Sequence, residues 1–200
     1  MRLELASNKA IKFACLNFHY AKSVPVNVFG YSVFNKNNEW CGVILYGNGA
    51  TNNIGEPFNL KQGQIVELVR MALNGKQEST TKCMAISLKL IKKNAPNLKL
   101  IVSYADSEQG HFGIIYQATN WFYIGFSIDT NMMINGKREH RRTLTSRYGT
   151  SSYDKLINMG LNVKIIKTMP KWKYIYPLHN SILPLCNKFK KDYPKKAIEA

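Results

Sequence analysis

The sequence is short of acidic residues, lacks any CxxC cysteine pair and contains no long apolar run. Twelve Asp and Glu stand against 28 Lys and Arg, a net charge of +16 at pH 7. That imbalance points to a polyanionic partner, with double-stranded DNA the first choice because neutralising phosphates releases counterions. The alternative is a basic but inert surface, or the Lys and Asn drift of an AT-rich genome. Cys15, Cys41, Cys83 and Cys186 are far apart with no CxxC pair, which argues against a zinc site and reads as buried or free thiols in a reducing compartment. No apolar run approaches the roughly 20 residues of a membrane span. The start, MRLELASNKAIKFACL, has neither the apolar core nor the small-residue cleavage site of a signal peptide. A cytoplasmic protein is expected. There is no internal repeat and no linker that marks a second domain, and 45% hydrophobic residues among 200 suffice for one core. One domain is expected over residues 1–184, with 185–200 as a mobile basic tail.

What is present reads as an α/β chain. VFGYSVF and WCGVILY flank Asn35–Asn38 as a β-hairpin, and GNGATNNIGEPFN follows as an aperiodic loop. IVELVRMAL is a strand. A helix capped by Ser79, Thr80 or Thr81 runs to about Lys93 and is stopped by Asn94, Ala95 and Pro96. LKLIVSYA then returns parallel to IVELVRMAL, giving a βαβαβ core behind the hairpin. Further on come a hairpin around Asn135–Gly136–Lys137, a helix over Ser151–Met159, and the strands NVKIIKT and KWKYIYPL.

The stretch SYADSEQGHFGIIYQATNWFYIG, from Ser103 to Gly125, joins a strand end, a polar turn, a short helix and a second strand. Polar side chains concentrated at a strand-to-helix junction line sites in α/β folds. Asp106 is a candidate base or metal ligand there, or else an Asx turn or a cap for the helix at Gly110. Tyr116, ten residues on, returns a phenol to the same cleft as a candidate acid, or packs as a buried aromatic. Ser103 and Tyr104 alternate along the strand, so one of them faces the site. His111 is a weaker candidate ligand than His19. His19 and Tyr20, just before Pro25, form a second polar pair, with His19 a candidate base or metal ligand or else a hydrogen-bonded structural histidine. Arg70 interrupts an apolar strand and needs a carboxylate or a bound anion as partner.

The element order resembles the GNAT acetyltransferase fold, in which a Tyr in the short helix before a strand can reprotonate a leaving thiolate. Tyr116 holds that position. The resemblance is closer to the Mom family of phage DNA-modification proteins. It is carried by NFHYAKSVP, VELVR, SYADSEQGHFGIIYQATNWFYIG, and RYGTSSYDKL followed by KWKYIYPL, spread from about Asn17 to Leu178. The fold implied is a single GNAT-like domain with a mixed, centrally parallel β-sheet flanked by helices. The activity implied is conversion of the adenine N6 amine in double-stranded DNA to an N6-carbamoylmethyl group, which shields phage DNA from restriction in the host cytoplasm. The alternatives are an acetyl-CoA-dependent N-acetyltransferase and a non-catalytic DNA-binding module.

The resemblance places His19, Tyr20, Ser103, Asp106 and Tyr116 in the catalytic set, with His19 as metal ligand. An iron requirement is proposed for the family. The donor stays open between acetyl-CoA and a related molecule. Ordinary GNAT enzymes hold pyrophosphate with R/Q-x-x-G-x-G/A, whereas Arg70 to Lys76 has one glycine, so Arg70 and Gly75 are the cofactor-binding candidates. DNA contacts are expected from Lys137, Arg138, His140, Arg141, Arg142 and Arg147, and from Lys171 and Lys173 interleaved with Trp172 and Tyr174. Trp121 or Trp172 is a candidate for stacking on an extruded base, or else core.

Overall fold

A computed structural model describes residues 1–49, 53–128, 130–139 and 141–194, with Arg142 described in its main chain alone. Part of the loop expected over 47–59, His140 of the basic cluster and the end of the expected tail lie outside the described residues.

The chain begins with β1 (Arg2–Leu5) and α1 (Asn8–Asn17), whose first turn is capped by Ser7 Oγ accepting from Ala10 N at 3.2 Å. The expected hairpin follows as β2 (Val28–Phe34) and β3 (Trp40–Gly47). Then come β4 (Ile65–Leu73), α2 (Thr80–Asn94), β5 (Leu100–Asp106), α3 (Ile114–Ala118) and β6 (Phe122–Ser127). Ser79 caps α2, its Oγ accepting from Lys82 N at 3.2 Å, and the helix buries Cys83, Met84, Leu88 and Ile91. Of the three expected caps, Ser79 takes the role.

These strands form one seven-stranded sheet with β10 (Lys171–Pro177), in the order β1-β2-β3-β4-β5-β10-β6. Among the described residues only β4 and β5 pair in parallel, so the mixed, centrally parallel sheet is as expected. The neighbours of β5 differ from a simple βαβαβ series. β5 and β6 are not paired with each other, because β10 enters between them and runs antiparallel to both. Two helices, α2 and α3, cover one face over a core that includes Tyr46, Leu68, Ile101 and Trp121. On the other face α1 packs over Val43, Leu45 and Ala72.

Between β6 and β10 the chain builds a small lobe from β7 (Thr130–Ile134), β8 (Lys137–Glu139), α4 (Arg141–Tyr148), α5 (Tyr153–Asn158) and β9 (Val163–Lys167). β7 is central in a separate three-stranded sheet. Its turn residues Asn135 and Gly136 both have positive φ, 48° and 82°, as a tight two-residue hairpin requires. Met132, Ile134, Leu144, Leu156 and Val163 give the lobe its own core. α4 is absent from the sequence expectation because RRTLTSRY has no apolar stripe and buries Leu144.

The tail set off at Leu185 is docked over its described part. α6 (Leu183–Phe189) buries Cys186 and sets Phe189 against Phe58 with ring centroids 5.3 Å apart. Lys191 N donates to Tyr123 O and Tyr193 Oη to Trp121 O, both at 2.8 Å. The open edge of β6 supplies the acceptor that a free tail would leave to water. Among the described residues no helix is long and apolar enough to cross a membrane.

Candidate active site

The site exists because β4 and β5 part company. They pair only from Ile65 opposite Leu100 to Glu67 opposite Val102. Beyond Glu67 a bulge in β4 skips Val69, since Leu68 faces Tyr46 and Arg70 faces Leu45. The diverging strands leave a cavity of about 370 Å³, floored by strand residues and rimmed by residues 19–20 and 110–116. That volume suits a small ligand.

Parting the strands leaves Leu68 O without a ladder partner, and buried Ser103 Oγ donates to it at 3.0 Å. The same oxygen lies 2.8 Å from Tyr116 Oη. Ser103 has one proton and gives it to Leu68 O, so Tyr116 is the donor in this contact. Its lone pairs are left for the cavity, and burial pushes its phenol up to about 12. Tyr116 thus meets the cavity protonated, with that proton directed at Ser103.

Asp106 ends β5 and is both site carboxylate and cap. Its Oδ1 accepts from Glu108 N at 3.1 Å, its main-chain O accepts from His111 N at 3.1 Å, and its Oδ2 accepts from Tyr20 Oη at 3.3 Å. Burial and the facing Asp106 charge push the Tyr20 phenol up to about 12. Tyr20 stacks on His19 with centroids 4.3 Å apart and meets His111 edge-on at 6.2 Å. Burial, helped by the Arg70, His111 and Lys22 charges, brings His19 down to about 4. It is therefore neutral at pH 7, and its Nδ1 accepts from Ala21 N at 3.1 Å, which puts the ring proton on Nε2.

That tautomer bears on the expected metal. A neutral imidazole ligating through Nε2 needs its proton on Nδ1, where Ala21 already donates. Among the described residues no three His, Cys, Asp or Glu side chains converge to hold an ion. The residues present do not fit a resident iron.

The cofactor candidates separate. Arg70 lines the cavity, but its guanidinium grips Ser23, Nη1 on the main-chain O and Nη2 on Oγ at 3.1 Å. Gly75 does not line the cavity. Its loop is tied to the β2–β3 turn: Lys36 N donates to Glu78 Oε1 at 2.6 Å and Asn35 Nδ2 to Lys76 O at 3.4 Å. Lys76 N is occupied by Asn74 Oδ1 at 3.0 Å. With an occupied amide and the Glu78 carboxylate just before α2, the loop does not fit the pyrophosphate of coenzyme A in the ordinary mode.

The basic candidates are also divided. In the lobe, Arg138 Nη2 pairs with Glu108 at 2.8 Å, Arg147 pairs with Glu139 at 2.9 Å, and Arg141 donates to Thr130 Oγ1 at 2.9 Å. Lys137 is 3.8 Å from Glu139 with its side chain 77% exposed. The Arg138 pair ties the lobe to the turn directly after Asp106, so its cations stand beside the cavity mouth. Lys171 lies opposite Asp106 in the β5–β10 register. Lys173 is elsewhere, over the rings of Phe58 and Tyr104 at 5.9 Å each, and burial lowers its pKa. Trp121 is fully buried and is core, not a stacking platform. Trp172 is partly buried among Phe112, Tyr123 and Phe126.

Two positions that shape the site escaped the sequence reading. Ser23 presents no catalytic chemistry of its own and matters only as what Arg70 holds. Gly113, at φ 77°, leaves room for the Tyr174 ring, which a Cβ would enter, and Tyr174 Oη donates to Phe112 O at 2.7 Å. The HFG triplet before an apolar helix was the available signal.

A model of the Mom protein family matches residues 2–195. The methylcarbamoylase mom of Escherichia phage Mu is 27% identical over 132 residues, 64% of this chain and 55% of that protein. The match thus spans about half the length of the curated relative. Among solved structures, a chimera of the spermidine N-acetyltransferase SpeG from Vibrio cholerae and hSSAT superposes with a TM-score of 0.52 at 9% identity, covering 92% of this chain and 99% of that one. The aminoglycoside acetyltransferase AAC(6')-Ib, in complex with coenzyme A and kanamycin, reaches 0.48 at 12% identity over 72% and 97%. The first of these likenesses shows an acetyltransferase fold. On the family match over nearly its whole length, the chain belongs to the Mom protein family.

Proposed function

We propose that this chain modifies the N6 amine of adenine in double-stranded DNA to the N6-carbamoylmethyl form. The observation that carries the reading is Asp106, a carboxylate at the rim of an aromatic-walled cavity, facing Tyr20 and standing beside a cationic lobe. The name of the phage Mu relative supports the reaction type. An exocyclic adenine amine is a poor nucleophile because its lone pair is delocalised into the ring. Asp106 accepts one N6 proton as the new N–C bond forms and the donor's leaving group departs, and Tyr116 accepts a hydrogen bond through its free lone pairs. Adenine reaches the cavity by leaving the base stack, with Tyr20 and His19 as the flat surfaces against which it rests. Lys137 and Arg141 contact phosphates, while Arg138 and Arg147 hold the lobe in place through their carboxylate partners.

The test is mass spectrometry of nucleosides from plasmid DNA in cells expressing the wild-type chain or Asp106→Asn. The Asn side chain keeps the capping oxygen but removes the base. The expected outcome is a deoxyadenosine carrying CH2CONH2 in place of one hydrogen, reduced about 10²- to 10⁴-fold in the variant, the usual contribution of a positioned base. Unmodified DNA beside soluble wild-type protein overturns the reading.

A further inference from the structure

We infer that Arg70 is a positioning residue, a two-pronged latch that holds the segment carrying His19 and Tyr20 against the cavity, and not a binder of the donor. The segment between α1 and β2 has no regular structure. Among the described residues, the one main-chain to main-chain bond made over 19–26 is internal, Lys22 N to His19 O. Val24 and Val26 are exposed, the latter by 81%, so packing does little to fix the course of the chain. Its bends lie at Lys22 and Asn27, non-glycine residues with φ of 44° and 53°, a conformation that surrounding contacts must maintain.

Besides Lys22 Nζ donating to Asn17 O of α1 at 2.9 Å and the Tyr20–His111 ring contact, two hydrogen-bonded ties tether this segment to the strands that open the cavity. One is Tyr20 on Asp106, at the long distance of 3.3 Å. The other is Arg70, which reaches across 47 residues of sequence to bind both the main-chain O and Oγ of Ser23. The ties are unequal in what they can survive. A ligand that engages Asp106 competes with Tyr20 for the carboxylate, whereas the Arg70 contact lies away from Asp106 and persists through binding. A guanidinium suits this task because its planar fork engages two oxygens at once and never loses its charge, whereas an ammonium is a single point. Arg70 is itself fixed by the strand, since it faces Leu45 of β3 immediately after the bulge that opens the cavity. The distortion that makes the cleft thus also aims the residue that roofs it.

The assignment shares its site with the proposed reaction but is tested without substrate or DNA. Wild type, Arg70→Gln, Arg70→Lys and Ser23→Ala are digested briefly with trypsin, and cleavage of the Lys22–Ser23 bond is followed by mass spectrometry. The expected result is cleavage about ten- to a hundredfold faster in both Arg70 variants, with cuts in α2 and the lobe at their wild-type rates. Ser23→Ala changes little because the main-chain O is still held. Added guanidinium, well below denaturing concentration, slows the Lys22–Ser23 cut in Arg70→Gln relative to the cuts in α2 and the lobe, which neither general loosening of the fold nor inhibition of trypsin by the cation would produce. Wild-type cleavage in both Arg70 variants overturns the latch, and loss of DNA modification alongside that result would place Arg70 on the donor or substrate instead.

Discussion

At the scale of residues, the site is organised by who already owns each proton. Ser103 gives its proton to Leu68 O, Tyr116 gives its own to Ser103, and Ala21 N–H fixes the His19 ring with its proton on Nε2. His19 therefore has a measurable signature. Its folded-state midpoint is about 4, below the ordinary 6.5, so the unfolded chain takes up the proton first as pH falls. The stability that neutral His19 confers is complete above about pH 6.5 and drains away between 6.5 and 4. NMR titration of the His19 ring, assigned with His19→Gln, should give a midpoint near 4 with no change at pH 7. A midpoint close to 6.5 would show a solvated, uncrowded ring. The roles of Asp106 as cap and of Tyr116 as cavity residue were legible because a strand-end Asp and a Tyr in the next short helix have few other places to go. The partner of Arg70 was not legible: the sequence demanded a carboxylate or an anion, and the structure supplies a main-chain oxygen and a hydroxyl.

At the scale of elements, the parting of β4 and β5 is stabilised one carbonyl at a time. Ser103→Ala strips Leu68 O of its donor and frees the Tyr116 phenol, a buried loss of about 1–3 kcal/mol. Thermal unfolding should show it as a fall in Tm of roughly 2–4 °C per kcal/mol, with the fold retained. An unchanged Tm would mean that water or another group satisfies the carbonyl. The hairpin β2–β3 and helix α2 could be read from sequence because alternation, a turn and a capping serine mark them locally. The insertion of β10 between β5 and β6 has no local mark, since strand order is set by long-range pairing. α4 was invisible for a different reason: a helix held by one buried leucine has almost no pattern to read.

At the scale of the whole molecule, the charge of +16 is distributed unevenly in usefulness. Arg138 and Arg147 are engaged with carboxylates and Lys173 lies over aromatic rings, so the count of basic residues overstates what DNA would meet. Replacing Lys137 and Arg141 together by Gln should lower DNA affinity uniformly across sequences and reduce the slope of log K against log salt by about 2, at roughly 0.9 per phosphate contact. An unaltered salt slope would move the DNA surface away from the lobe. Fluorescence anisotropy with duplexes at several salt concentrations reads both quantities.

The position of β10 also sets a timetable. β5 is finished at Asp106, but its second neighbour is not made until Lys171 onward, after the entire lobe has emerged. A nascent chain therefore holds Asp106 on an exposed strand edge, prone to pair with other chains, for the time it takes to translate the intervening segment. The wall of the cavity that β5 provides is thus joined to β6 only late in synthesis, when β10 pairs with both.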